Sequence, residues 1–148
     1  MKRFVFRYQT LLEVRERQQA KEEEVLQRLL GAQEQERLAV LRLEAEAEEQ
    51  RAAFSGVVQG RVDVDTVLTM HDCLAAKERE ILRQRQAHDL ACARSENQRE
   101  ILLAALQAAE VLRKLKERDW NAWRQALERA ETAQLDELAT LRHTRRAL

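Results

Sequence analysis

The chain has no proline, three glycines and 4% aromatic residues in a length of 148. Without proline, it lacks the residue that most strongly interrupts a helix. Scarce glycine leaves few natural points of chain reversal. Few aromatics beside 35% charged residues leave too little bulky apolar material for a wide core. A narrow seam in its place gives an enzyme nowhere to build a deep pocket. The two cysteines, Cys73 and Cys92, form no Cys-x-x-Cys pattern and read as free thiols in a reducing compartment. No apolar run approaches the roughly 18 residues of a membrane span. Lys2 and Arg3 are not followed by an apolar stretch, so no secretory leader is read. Net charge is zero, which gives no general argument for binding nucleic acid or an acidic membrane.

What is abundant is Ala, Leu, Glu, Arg and Gln, all strong helix formers except where packing overrides them. The expected fold is all-α: one unit, 1–148, forming a long antiparallel two-helix coiled coil with a longer second helix. Helix 1 is predicted over about 3–53, a turn over about 54–65 and helix 2 over about 66–145. At 1.5 Å per residue the helices would be about 75 and about 120 Å long. Phe4, Tyr8, Leu11 and Leu12 stand at i, i+4, i+7 and i+8, one face of a helix. The seam of helix 1 weakens between Val14 and Val25, where Arg15, Gln18 and Glu22 would occupy it. A polar seam costs stability and often fixes register. Helix 2 has a similar polar stretch from Arg83 to Gln98.

Gly56 and Gly60 mark the predicted turn, with Asp65 favoured over Asp63 and Thr66 as the cap of helix 2. Reversal near residue 60 would place Phe4 near Leu115, Arg15 near Ala104 and Leu29 near Leu90. Beyond about Lys116, helix 2 would then have no partner within the chain. Its apolar stripe nevertheless continues through Trp120, Trp123, Leu127, Leu135, Leu138 and Leu141. An exposed stripe about 35 Å long calls for a partner, although fraying or self-association also accounts for it. Trp120 and Trp123 anchor that partner, close the open end against Phe4 and Tyr8, or do both.

Charge is unevenly spread. Residues 1–21 sum to about +4, residues 22–50 to about −6 and residues 113–148 to about +3. The expected hairpin is therefore basic at its open end and acidic toward the turn.

No residue set points to catalysis. The carboxylates fall on exposed helix faces, where they pair with Arg or Lys at i, i+4 rather than in a secluded, pKa-shifting site. His88 and Cys92 share a helix face at i, i+4, and His71 lies near Cys73. Two ligands do not make a zinc site, so no metal is expected. The chain has no Gly-rich phosphate loop and no basic run with interleaved aromatics. Neither a nucleotide cofactor, a small-molecule substrate nor nucleic acid is expected.

The opening F-V-F-R-Y-Q-T-L-L-E-V-R-E, Phe4 to Glu16, leads into a Glu/Gln/Arg-rich helix. It resembles the opening of one branch of the flagellar type III export protein family FliJ. Length, a turn before mid-chain and a longer second helix agree, though many coiled coils share those features. The resemblance implies a non-enzymatic, cytoplasmic, central-stalk-like coiled coil, monomeric when isolated and associated with the inner membrane at the flagellar base. It implies binding to the hexameric export ATPase FliI, promotion of its assembly, and links to the export gate FlhA and to export chaperones. By region, Phe4, Tyr8, Leu11, Trp123, Leu127, Leu138 and Leu141 are expected at the ATPase. Met70, Leu74 and Ile81 are expected at the gate. The corresponding stalk of an injectisome is a close variant. A self-associating scaffold is the alternative from a different class, and a membrane-surface protein is disfavoured by the acidic first helix.

Overall fold

The computed structural model describes residues 3–146, with the side chain of Arg146 left aside. Met1 and Lys2, counted in the basic opening segment, lie outside the described residues, as do Ala147 and Leu148. Two long helices pack against each other, α1 (Gln9–Val58) and α2 (Val64–Arg146). There is no strand among the described residues, and α2 is the longer helix.

The helix boundaries differ from expectation at three places. Helix 1 begins at Gln9 rather than near Arg3. Residues 3–6 are not helical, and a turn at Arg7 and Tyr8 leads into α1. Phe4, Val5 and Phe6 are aromatic or β-branched and favour an extended chain. Their burial alternates as an extended chain requires: Phe4 is half-buried, Val5 is 80% exposed and Phe6 is 5% exposed. The amide of Gln9 donates to the Phe6 carbonyl at 3.2 Å, and Leu12 to the Tyr8 carbonyl at 2.9 Å, starting the helix.

At the other end α1 runs through Ser55, Gly56 and Val57 to Val58. Gly56 is helical, and no glycine among the described residues has a positive φ. Glycine permits a reversal without requiring one, so only Gly60 lies in the turn. Helix 2 starts at Val64 and its cap position is Asp63, whose carbonyl accepts from the Val67 amide at 3.2 Å. Asp65 lies inside the first turn, where its charge complements the helix dipole.

The chain divides into two units. One comprises residues 21–103 and contains the turn. Its antiparallel helix segments are joined across the seam by polar pairs set among half-buried apolar side chains. Lys77 donates to Glu46 at 3.0 Å, and Gln84 donates to Glu36. Ser95 donates to Gln33 at 2.6 Å, and Gln98 donates to the Glu22 carbonyl at 3.2 Å and to its carboxylate. On α2 the seam steps by threes and fours through Leu74, Lys77, Ile81, Gln84, His88, Ala91, Ser95 and Gln98. Leu29 is thus bracketed by the Glu22–Gln98 and Gln33–Ser95 pairs, while Leu90 faces solvent. One register satisfies these hydrogen bonds, and a slip would leave polar groups unpaired.

The other unit comprises residues 1–20 and 104–148. In it Lys116 donates to Gln9 at 2.8 Å, and Arg113 donates to Glu16 at 3.3 Å and to Gln19 at 3.0 Å. Arg15 therefore lies opposite the Arg113 part of α2, more than two turns from Ala104. Arg15 and Gln18 are exposed, and Gln19 takes the seam position. The apolar centre of this unit is Phe6, Leu12 and Ala109, all buried.

Candidate functional site

Around the opening motif the structure builds an aromatic clasp. The Phe4 ring meets Trp120 edge-on at 5.2 Å between centroids and Trp123 at 5.9 Å. Trp120 and Trp123, one turn apart on α2, lie 5.1 Å from each other. Phe6 is buried with its ring 5.9 Å from Tyr8, and the Arg7 guanidinium sits 5.6 Å from the Tyr8 ring. Phe4 thus contacts α2 more than one turn beyond Leu115, its expected neighbour. An indole pair offers Phe4 more contact area and a favourable edge-on geometry than a leucine can. The two tryptophans close this end against Phe4, whereas Tyr8 stacks on Phe6.

The partnered part of α2 accordingly extends beyond Lys116, to Trp123 and Leu127, both half-buried. From Glu128 to Arg145 every side chain is exposed. That segment is about 27 Å long at 1.5 Å per residue. It carries Leu135, Leu138 and Leu141 at steps of three, each more than half exposed. Thr132, Thr140 and Thr144 return their hydroxyls to backbone carbonyls one turn back, so these polar side chains are satisfied locally.

The residues expected at the ATPase therefore fall into four environments. Phe4 and Trp123 pack on each other within the clasp. Tyr8 and Leu11 are partly exposed beside it. Leu127 lies at the edge of the helix pairing, and Leu138 and Leu141 stand free of the seam. Phe6, the most buried aromatic of the opening, was absent from the expected set. Its signal was the Phe-x-Phe alternation, which a helical reading hides.

The second candidate surface lies beside the turn, in the other unit. Met70 and Leu74 line a shallow groove with Phe54, Val58 and Val67, bordered by Arg51 and His71. Ile81 is 7% exposed and belongs to the seam, so its side chain does not reach this groove. The Lys77 side chain, 17% exposed, bridges Glu46 at 3.0 Å and Glu80 at 3.3 Å. Glu46, followed by Glu80, holds the Lys77 ammonium above the ordinary lysine range. On α1, Arg37 pairs with Glu34 at 2.7 Å. The Arg37 side chain holds the Glu34 carboxyl below its ordinary range, and Glu34 raises Arg37 in turn.

His88 and Cys92 do come together, with Nε2 at 3.6 Å from Sγ. No group of three or more His, Cys, Asp or Glu among the described residues could hold a metal ion. Both cysteines are free thiols, Cys73 exposed and Cys92 half-buried. No helix among the described residues is long and apolar enough to cross a membrane.

A family model described as flagellar FliJ protein matches residues 4–148. No curated protein and no solved structure matches the chain significantly. The match covers the opening aromatic motif, both helices and the exposed end of α2, and the chain belongs to the FliJ family of non-enzymatic flagellar export proteins.

Proposed function

We propose that this protein is the central-stalk-like coiled coil of a flagellar export apparatus, working through the exposed end of α2. The end of α2 with its flanking clasp would engage the hexameric export ATPase FliI and promote its assembly and activity. The observation that carries this reading is the segment from Glu128 to Arg145, helical and wholly exposed, with Leu135, Leu138 and Leu141 unpartnered. Such leucines gain free energy when a partner covers them, at about 25 cal/mol per Å² of apolar surface. A stalk that fits one arrangement of the ring better than another shifts the ring toward that arrangement. The aromatic clasp supports this role mechanically, because it holds the chain's opening segment against α2 just before the exposed part begins.

The groove at Met70 and Leu74 would engage the export gate FlhA, with export chaperones as further partners. The protein would then act on the cytoplasmic side of the inner membrane at the flagellar base.

The test is photo-crosslinking in the native cell with the probe at Leu138, followed by mass spectrometry of the adduct. An adduct with the export ATPase is the expected result. An adduct only with a second copy of this chain would replace the stalk reading with a self-associating scaffold.

A further inference from the structure

We infer that the unit of residues 21–103 contains a section of seam that opens on its own, with α1 from Glu22 to Glu36 parting from α2 between Gln84 and Gln98 while the layer nearer the turn stays closed.

The argument begins with what is buried. In this section the buried side chains are polar: Ser95 at 1% exposure and Gln98 at 6%. The buried apolar side chains of the unit, Ala47 and Ile81, both lie outside the section, toward the turn. Within it α2 presents Ala87, Ala91 and Cys92 to the seam, side chains that each remove little apolar area from water. Leu26, Leu29 and Leu30 on α1 are only half-buried.

The hydrogen bonds of the section act differently from apolar packing. Glu22 and Glu36 each accept from a glutamine amide, from Gln98 and Gln84 respectively, and Gln33 accepts from Ser95. Each bond fixes the register, because a slip leaves a donor or acceptor unmade. The net gain of each in the closed state is far smaller than its gross strength, because water satisfies the same groups once the helices part. A seam of this kind is specific in register and cheap to open. Local opening concentrates where buried apolar contacts are fewest. The layer nearer the turn holds the buried apolar side chains Ile81 and Ala47, and opens less readily. When the section parts, Leu26, Leu29 and Leu30 become a transient apolar face.

Ser95 and Ala47 provide a matched pair of reporters, each 1% exposed in the same unit. The experiment uses the full chain with Cys73→Ser and Cys92→Ala, and adds either Ser95→Cys or Ala47→Cys. Alkylation by iodoacetamide is measured in native buffer and divided by the rate in denaturing urea. The Ser95→Cys thiol should react at least tenfold faster than the Ala47→Cys thiol. Replacing the Glu22–Gln98 layer by Glu22→Leu with Gln98→Leu should bring the Ser95→Cys rate down toward the Ala47→Cys rate. Equal rates, or a faster Ala47→Cys thiol, would overturn the inference. Should a cysteine variant lose helicity, hydrogen exchange on the unaltered chain decides. Faster exchange in peptides covering 22–36 and 84–98 than in those covering 43–47 and 77–81 supports the inference, and uniform protection overturns it.

Discussion

Two neighbouring phenylalanines have different tasks. Phe6 is buried, and its loss removes a full aromatic side chain from the apolar centre with Leu12 and Ala109. Phe6→Ala should cost about 3 kcal/mol, the lower end for a buried aromatic truncation. Phe4 is half-buried and stands on two indoles. Phe4→Ala should cost about 2 kcal/mol, from the lost half-burial together with the lost ring pairing. It should also red-shift the tryptophan emission, because Trp120 and Trp123 lose their cover. Urea denaturation followed by tryptophan fluorescence checks both. At Lys77 the effect is one of pH. The folded chain raises its proton affinity through Glu46 first, so this bridge contributes fully below the unfolded value of 10.5. The contribution is lost as pH rises through the higher folded value. Thermal melts of wild type and Lys77→Met should therefore show a difference that is level across neutral pH and diminishes on the alkaline side, above about pH 10.5.

At the scale of the elements, Gly31 is the clearest mismatch between residue and place. It lies inside α1, with nothing within 4 Å of where a Cβ would stand. Gly31→Ala should stabilise the protein by about 0.8 kcal/mol, since alanine loses less backbone freedom in a helix. A chemical denaturation midpoint that does not rise would contradict this. The same glycine shows how legible the elements were. A single glycine did not interrupt the helical pattern of the sequence, and α1 indeed runs through it. Gly56 misled because glycine marks only where a chain is able to turn, and the helix continued through it. The start of α1 was hidden because Phe4, Tyr8, Leu11 and Leu12 fit a helical period by spacing alone. The Phe-x-Phe alternation at Phe4 and Phe6 fits an extended period in the same stretch. The two helices and their antiparallel pairing were legible from composition and period. The register was not, because pairs such as Gln33–Ser95 and Gln84–Glu36 are polar on both sides and carry no signal in an apolar pattern. Of the candidate site, the exposed leucines near the end of α2 were legible. The clasp that engages Phe4 was legible only as one of two readings.

For the whole molecule the question is which surface a partner covers. The leucines of the seam and those near the end of α2 look alike in sequence, yet substitutions at them should have opposite consequences. Leu12 is buried, so a charge there would be left without water or a partner and the fold would suffer. Leu138 and Leu141 are each 53% exposed, so Leu138→Asp with Leu141→Asp should leave helicity unchanged and stability within about 0.5 kcal/mol. If α2 engages the export ATPase through this face, the same double variant should abolish stimulation of ATP hydrolysis in a reconstituted mixture. Carboxylates placed where apolar groups must be covered are costly to desolvate. Met70→Asp, in the groove beside the turn, should leave that stimulation intact, because the groove belongs to the other proposed contact. Full stimulation by a folded Leu138→Asp, Leu141→Asp protein would remove the end of α2 from the ATPase contact, and stimulation lost equally in Met70→Asp would mean that the two contacts are not separate.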